Sequence, residues 1–385
     1  MSEVLTRPVM EQDEEGYWLV RSLTYGNGVV VPVDQRTWTY ADPFASLVDG
    51  EVAGVFEILP FTCTRGPALL KCGGIGGVAV APHQRKKRVG SSMLTFAVRH
   101  MREIGVPMSS LYAFSERYYR QFGYEISGRR MKITCPVNRL PAAKETLPLR
   151  ILTPEQWPQL QECFSEFAHK RSGLSIRTET QWKRVLNEHR ALTIYAAGNP
   201  VQGYIALAHN VAFWATDHLS EVVWSTKAGY ETVMSLLKGI GINKTAFSWY
   251  EPSDGPFLLS HLDQGIDIGL DRLPMFRVND VPSALRALVP LDGTSGEFRL
   301  GIIDDCIPEN NGPWHVRFSS EGVEVEKTDQ ADFTMSIRAF APSFLGEPSL
   351  ETLALAGLVE IADHNALQSA FKLLTPLPTY CPEFF

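Results

Sequence analysis

The hydrophobic and polar positions of this chain change period many times, and each change marks an element. Residues 4–9 read as a short edge strand, and Asp13–Leu23 as a helix that Tyr25-Gly26-Asn27-Gly28 closes with turn residues. Ala45–Val48 and Glu51–Leu59 read as strands joined at Asp49-Gly50, a strong hairpin signal. After a turn at Arg65-Gly66-Pro67 comes a long strand, Ala68–Val80. Its last residues, Val78 and Val80, alternate with Ala79 and Ala81, the spacing of a strand with two distinct faces. Pro82 lacks an N–H and stops the ladder. Over 91–104, Met93, Leu94, Ala97, Val98, Met101 and Ile104 recur at helical spacing, with Arg99, His100, Arg102 and Glu103 on the other face. A strand at Ser109–Phe114, a short helix at 116–121 and a strand at 124–134 complete a mixed unit.

Prolines at 136, 141 and 148 break the pattern, and then it starts again. Leu149–Leu152 is a strand, Pro154–His169 and Glu179–Glu188 are helices, and Ala191–Ala197 and Val201–His209 are strands. Ser220–Ser225, Tyr230–Lys238 and Thr245–Tyr250 follow as strand, helix and strand, so this stretch resembles a second copy of the first fold. Asn279-Asp280-Val281-Pro282 marks another boundary. Beyond it a helix at Ser283–Leu288, strands at Phe298–Asp304, Trp314–Ser319, Val323–Lys327 and Gln330–Ile337, and helices at Ser349–Ala356 and Asn365–Leu373 make a third unit.

Composition limits the function classes. At 385 residues two or three domains are expected, and 44% hydrophobic with 21% charged residues is a globular balance. A net charge of −7 argues against general nucleic-acid binding. The six cysteines are far apart without a C-x-x-C pair, which points to reduced thiols and away from a structural zinc. Met1–Arg7 has no apolar signal core, and no run approaches the roughly 18 apolar residues of a membrane span, so the cytoplasm is the expected location.

The chemistry concentrates after Val80. Arg85, Lys86, Lys87 and Arg88 lead through Val89 to Gly90 and Ser91 at the head of a helix. Unpaired amides, partial positive charge and a glycine that lets the backbone approach make an anion site suited to a pyrophosphate. About thirty residues later stands Tyr118-Tyr119-Arg120-Gln121-Phe122-Gly123-Tyr124. Val78-x-Val80-x-Pro82-x-x-Arg85-x-x-Arg88-x-Gly90 resembles the acetyl-coenzyme A signature of the GNAT N-acetyltransferases, and Tyr119-x-x-Phe122-Gly123-Tyr124 is similar to the element that carries that family's general acid. Arg88 stands where the family usually has its first glycine, and a side chain there narrows the pyrophosphate cradle. The length and the terminal Phe384-Phe385 resemble the Eis (enhanced intracellular survival) type, over essentially the whole chain.

The resemblance implies a mixed α/β (α+β) fold in three parts. Residues 1–140 are an N-terminal GNAT domain for acetyl-CoA binding and catalysis, 148–282 a degenerate second GNAT-like domain, and 283–385 a sterol-carrier-protein-like domain. Acetyl-CoA is the implied co-substrate. Val78, Ala79 and Val80 would hold pantetheine and the thioester by their main chain. Arg85, Lys86, Lys87, Arg88, Val89, Gly90 and Ser91 would hold the pyrophosphate. Ser115 either contacts the cofactor or caps the helix it precedes. Tyr119 would be the acid, and the α-carboxylate of Phe385 would reach the first active site as base. His83 and His100 are weaker bases, the latter on the solvent side of its helix. Glu383 either adds charge for a cationic acceptor or is an ordinary surface residue. The turn Ser225-Thr226-Lys227-Ala228-Gly229 keeps a glycine and one cation, so the second copy is expected not to bind cofactor. The implied reaction is acetyl transfer to a primary amine of a cationic acceptor, aminoglycoside-like, polyamine or lysine side chain, in a homo-oligomer, a hexamer by resemblance. The alternative is an acyl-CoA- or lipid-binding protein without transfer activity.

Overall fold

The computed structural model describes residues 3–36, 38, 40–186, 192–208, 214–271 and 274–383. In the first unit β1 (Val4–Pro8), α1 (Glu14–Tyr25), β2 (Asp42–Val48), β3 (Glu51–Arg65), β4 (Ala68–Val80), α2 (Val89–Glu103), β5 (Met108–Tyr112), α3 (Glu116–Arg120) and β6 (Glu125–Ile126) follow in order. Asp49 and Gly50 both have positive φ (53° and 85°), as the tight hairpin between β2 and β3 requires. Successive β3 residues bury opposite faces. Val55 packs with Ala79 under Tyr17, Trp18 and Val20 of α1, whereas Phe56 and Ile58 pack with Ile75 under Met93, Ala97 and Met101 of α2.

The expected strand 124–134 is in fact two strands in two sheets. After β6 the chain turns at Gly128 (φ +85°), where a β-carbon would come within 2.1 Å of the Thr379 carbonyl oxygen. β7 (Met131–Pro136) then enters the sheet of the second unit. That unit contains β8 (Leu149–Leu152), α4 (Gln161–His169), β9 (Ser172–Ser175), α5 (Glu179–Leu186), β10 (Thr193–Ala197), β11 (Gly203–Leu207), β12 (Thr216–Trp224), α6 (Lys227–Ile240), β13 (Ala246–Glu251), α7 (Pro256–Ser260), β14 (Asp267–Leu270) and β15 (Pro274–Val278). The first sheet runs β1-β2-β3-β4-β5-β15-β6, with β9 also on β3, and the second runs β14-β7-β13-β12-β11-β10-β8. β15 therefore fills beside β5 the place that β7 fills beside β13. The two sheets exchange a strand across the boundary expected near residue 140. Within the second sheet β11-β12-β13 repeats β3-β4-β5, a helix linking the parallel pair in each.

The third unit contains α8 (Val281–Arg286), β16 (Gly296–Ile303), β17 (Trp314–Ser319), β18 (Gly322–Lys327), β19 (Phe333–Ser336), α9 (Ile337–Leu345), α10 (Leu350–Leu355), β20 (Val359–Ile361) and α11 (His364–Leu373). Its sheet runs β18-β17-β16-β19-β20. Its core is continuous with one face of the first sheet. Leu59, Phe61, Leu70 and Phe276 lie in the same buried cluster as Phe298, Phe340 and Phe344. At roughly 2 kcal/mol for each large side chain withdrawn from water, this shared cluster binds the third unit firmly to the first. Among the described residues no helix is long and apolar enough to cross a membrane.

Candidate active site

β4 and β5 pair only through Cys72–Gly74 and Met108–Ser110. Past that point they part, and the β5-facing main chain of residues 75–80 has no strand partner among the described residues. On its other side β4 carries a bulge. Between the pairs Val55–Ala79 and Glu57–Gly76, the two residues Gly77 and Val78 stand against Phe56 alone. Gly77 has φ +60°, and a β-carbon there would lie 2.5 Å from Arg21 Nη1. Arg21 pairs with Glu57 at 2.5 Å, and the Tyr17 hydroxyl donates to the same carboxylate at 2.7 Å. Val78 and Val80 are half-buried against the α2 core and Ala79 is buried against α1. The Val78 carbonyl accepts from the Tyr25 hydroxyl at 2.8 Å.

The loop beyond β4 is cationic and exposed at Arg85, Lys86, Lys87 and Arg88. Lys86 (φ 67°) and Arg88 (φ 64°) adopt the left-handed conformation. The position where the family favours glycine is thus one where glycine costs no steric strain, and Arg88 occupies it with its side chain outward. Arg88 is the N-cap of α2, without a side-chain cap bond, and Val89 behind it is buried. Gly90 carries the Tyr118 hydroxyl where a β-carbon would point, 2.6 Å away. Lys87, Arg88, Ser91, Ser92, Thr95 and Arg99 line a groove on the outer face of α2.

Tyr119 is buried, edge-on to Phe114 (5.4 Å), Tyr118 (5.3 Å) and Tyr124 (6.4 Å). Burial pushes its phenol well above the ordinary tyrosine value, and the neighbouring phenols of Tyr25, Tyr118 and Tyr124 add to the shift. Ser115 occupies the N-cap position of α3, but its hydroxyl makes no cap hydrogen bond. His83 is exposed, and His100 is half-buried, stacked on Phe96 at 5.3 Å.

Phe385 and Phe384 lie outside the described residues. The tail is anchored up to Glu383. Tyr380 N–H donates to the Ser172 carbonyl (2.9 Å), and the Tyr112 hydroxyl, at the end of β5, donates to that of Cys381 (2.8 Å). Glu383 is half-buried and accepts from Arg177 Nε at 2.9 Å, while Arg177 also pairs with buried Glu221. Glu383 is therefore not the exposed surface glutamate of one expectation, its side chain being paired with Arg177. A groove of about 700 Å³ opens at the β3 edge between β2 and β9, with Trp38, Tyr40, Asp42, Phe61, Lys71 and Arg184 in its lining.

In the second unit β12 and β13 also pair briefly, through Thr216–His218 and Ala246–Ser248. The turn before α6 differs from that before α2. The Thr226 hydroxyl takes the Gly229 N–H at 3.0 Å, and Gly229 is pressed on the Gln202 carbonyl, 2.0 Å from a β-carbon position. The amides of Ser225 and Thr226 also donate to the Gln202 carbonyl, at 3.0 and 3.4 Å.

Tyr25, Glu57 and Arg21 were not legible as site residues. Tyr25 reads as the end of a helix, and no local spacing links it to a carbonyl fifty-three residues away. The four glycines within 73–77 were the available signal for a bulge.

Residues 33–127 match the acetyltransferase (GNAT) domain, and residues 281–382 match the sterol carrier protein domain. A curated relative, an uncharacterized N-acetyltransferase of Streptomyces avermitilis, is 24% identical over 394 residues, covering 94% of this chain and 95% of its own. The GCN5-related N-acetyltransferase of Anabaena variabilis superposes with a TM-score of 0.87 at 19% identity, and Eis1 of Mycobacterium abscessus with 0.80 at 19%, each over 100% of both chains. The chain thus carries an acetyltransferase (GNAT) domain and a sterol carrier protein domain, and over its whole length it has the fold of the GCN5-related N-acetyltransferases, Eis1 among them.

Proposed function

We propose that this enzyme transfers the acetyl group of acetyl-coenzyme A to a primary amine of a cationic acceptor, aminoglycoside-like, polyamine or lysine side chain. The observation that carries the reading is the wedge between β4 and β5, where residues 75–80 have no strand partner on the β5 side and Tyr119 lies in the same buried cluster as Ile75 of β4 and Leu111 of β5. Residues 85–91 take the diphosphate at the head of α2. The main chain of Val78–Val80 takes the pantetheine and polarises the thioester carbonyl. The neutral amine attacks the carbonyl carbon, the carbon–sulfur bond breaks, and the leaving sulfur takes its proton from the Tyr119 phenol. The proton lost by the amine passes to the Phe385 carboxylate or to water. With its proton held tightly by burial, Tyr119 is a donor at every physiological pH. The acceptor enters by the β3-edge groove, where Asp42 offers an exposed carboxylate to a cation. The second unit serves architecture, because its corresponding amides are taken by its own residues. Thiol release from acetyl-CoA, measured with and without a panel of polyamines and aminoglycosides, tests the reading. Acceptor-dependent release supports it, and release that no amine accelerates overturns it.

A further inference from the structure

α3 has five residues, too few to hold its own direction, so whatever aims Tyr119 must come from outside the helix. Residues 120–123 meet such groups one after another. Arg120 is paired with Glu125 at 2.7 Å, and Glu125 is gripped in turn by Arg338 of α9 at 2.7 Å. The Gln121 carbonyl accepts from Cys306 Sγ at 3.4 Å. The Phe122 carbonyl accepts from Arg277 Nη1 at 2.7 Å. Gly123, with φ +81°, leaves the space that this guanidinium fills, a β-carbon there standing 1.6 Å from Arg277 Nη1. Arg277 comes from the exchanged strand β15, and its Nη2 donates to Asp304 of the third unit at 2.6 Å, both side chains fully buried. Asp304 is saturated, since Cys306 N–H (3.0 Å), Ile307 N–H (3.1 Å) and Asn310 Nδ2 (2.9 Å) also donate to it. Arg277 Nε has no hydrogen-bond partner, but Nη1 and Nη2 are both engaged and the carboxylate is filled, so removing one member of this buried pair leaves an uncompensated charge. Phe122 N–H in turn bonds the Tyr119 carbonyl at 3.0 Å, so the guanidinium is two hydrogen bonds from the backbone of Tyr119.

We propose that the third unit positions the acid. Asp304 through Arg277, and Arg338 through Glu125, fix the last turn of α3 and thereby the Tyr119 phenol relative to the wedge. Asp304, Arg277 and Arg338 are positioning residues that touch neither substrate nor reacting atoms. The proposal rests on the reading of Tyr119 as the acid. It gives the sterol-carrier-like unit a part in acetyl transfer that requires no lipid.

The test is a double-mutant cycle on the full chain. R338A and D304N are each made alone and in the Y119F background, and kcat is followed by thiol release with a fixed acceptor amine. An ångström of misplacement costs up to about a hundredfold in rate. D304N is expected to lower kcat about tenfold or more and R338A about threefold, with KM for acetyl-CoA within about twofold, and R338K should recover most of the loss. In the Y119F background neither variant should lower kcat further. Equal fold losses in both backgrounds overturn the proposal, as does full activity in folded R338A and D304N. Should D304N fail to fold, the exposed Arg338 variants decide alone. Y119F by itself tests the acid: wild-type kcat there overturns that reading, whereas additive losses overturn only the clamp.

Discussion

The hydroxyl of Tyr118 lies over Gly90, 2.6 Å from where a β-carbon would stand. The glycine of the cofactor signature therefore has a partner inside the protein. It lets an aromatic from α3 reach the head of α2, the place proposed for the diphosphate. Gly90→Ala should force the Tyr118 ring aside. A helical Gly→Ala change gains about 0.5–1 kcal/mol in itself, so the melting temperature should hold or rise while KM for acetyl-CoA increases several-fold. Equal KM values in the two proteins would show that the contact is incidental.

Tyr119→Phe should remove the proton donor but little of the packing. Loss of a general acid is expected to cost about 10²–10⁴ in kcat, with cofactor affinity by calorimetry nearly unchanged. Because burial raises the phenol's pKa, the tyrosine stays protonated where a free phenol would begin to ionise. The kcat profile should therefore show no descending limb from Tyr119 below about pH 10.

Arg88→Gly exchanges left-handed strain, about 1 kcal/mol for a side-chain-bearing residue, against the greater freedom of glycine in the unfolded chain, of similar size. Stability by urea titration should change by less than about 1 kcal/mol. One cation is lost from the cradle, so the salt dependence of KM for acetyl-CoA should become shallower.

Glu251 is fully buried and accepts from the Tyr230 hydroxyl (2.7 Å) and Trp249 Nε1 (2.8 Å). Burial pushes its carboxyl up to about 7. A carboxyl raised in the folded state binds a proton there that the unfolded chain has already released. Its destabilising effect is absent below the ordinary glutamate value and grows as pH rises toward 7. Glu251→Gln should be close to neutral at pH 4.5 and stabilising by roughly 1–3 kcal/mol at pH 8, read from melting temperatures at the two pH values. A difference of the opposite sign would mean that the carboxylate is well solvated.

Residues added beyond Phe385 should cut turnover far more than acetyl-CoA binding, because the tail is fixed to Ser172, Tyr112 and Arg177 as far as Glu383. A C-terminally tagged enzyme with unchanged kcat removes the terminal carboxylate from the mechanism.

The sequence by itself determined β4, the cationic loop and α2. Alternation up to Val80, the missing N–H of Pro82 and the 3.6-residue period from Met93 to Met101 are local causes, and the observed elements follow them closely. Placing Tyr119 on a short helix needed only its neighbours. The pairing of strands was decided in three dimensions. β15 is buried along its whole length, and a strand buried on both faces carries no alternation to say which sheet will take it. The same holds for Arg277. Alone it is one cation among the 36 lysines and arginines, and it becomes the fastening of α3 only because Gly123 and Asp304, 154 residues before it and 27 after it, leave the space and supply the charge.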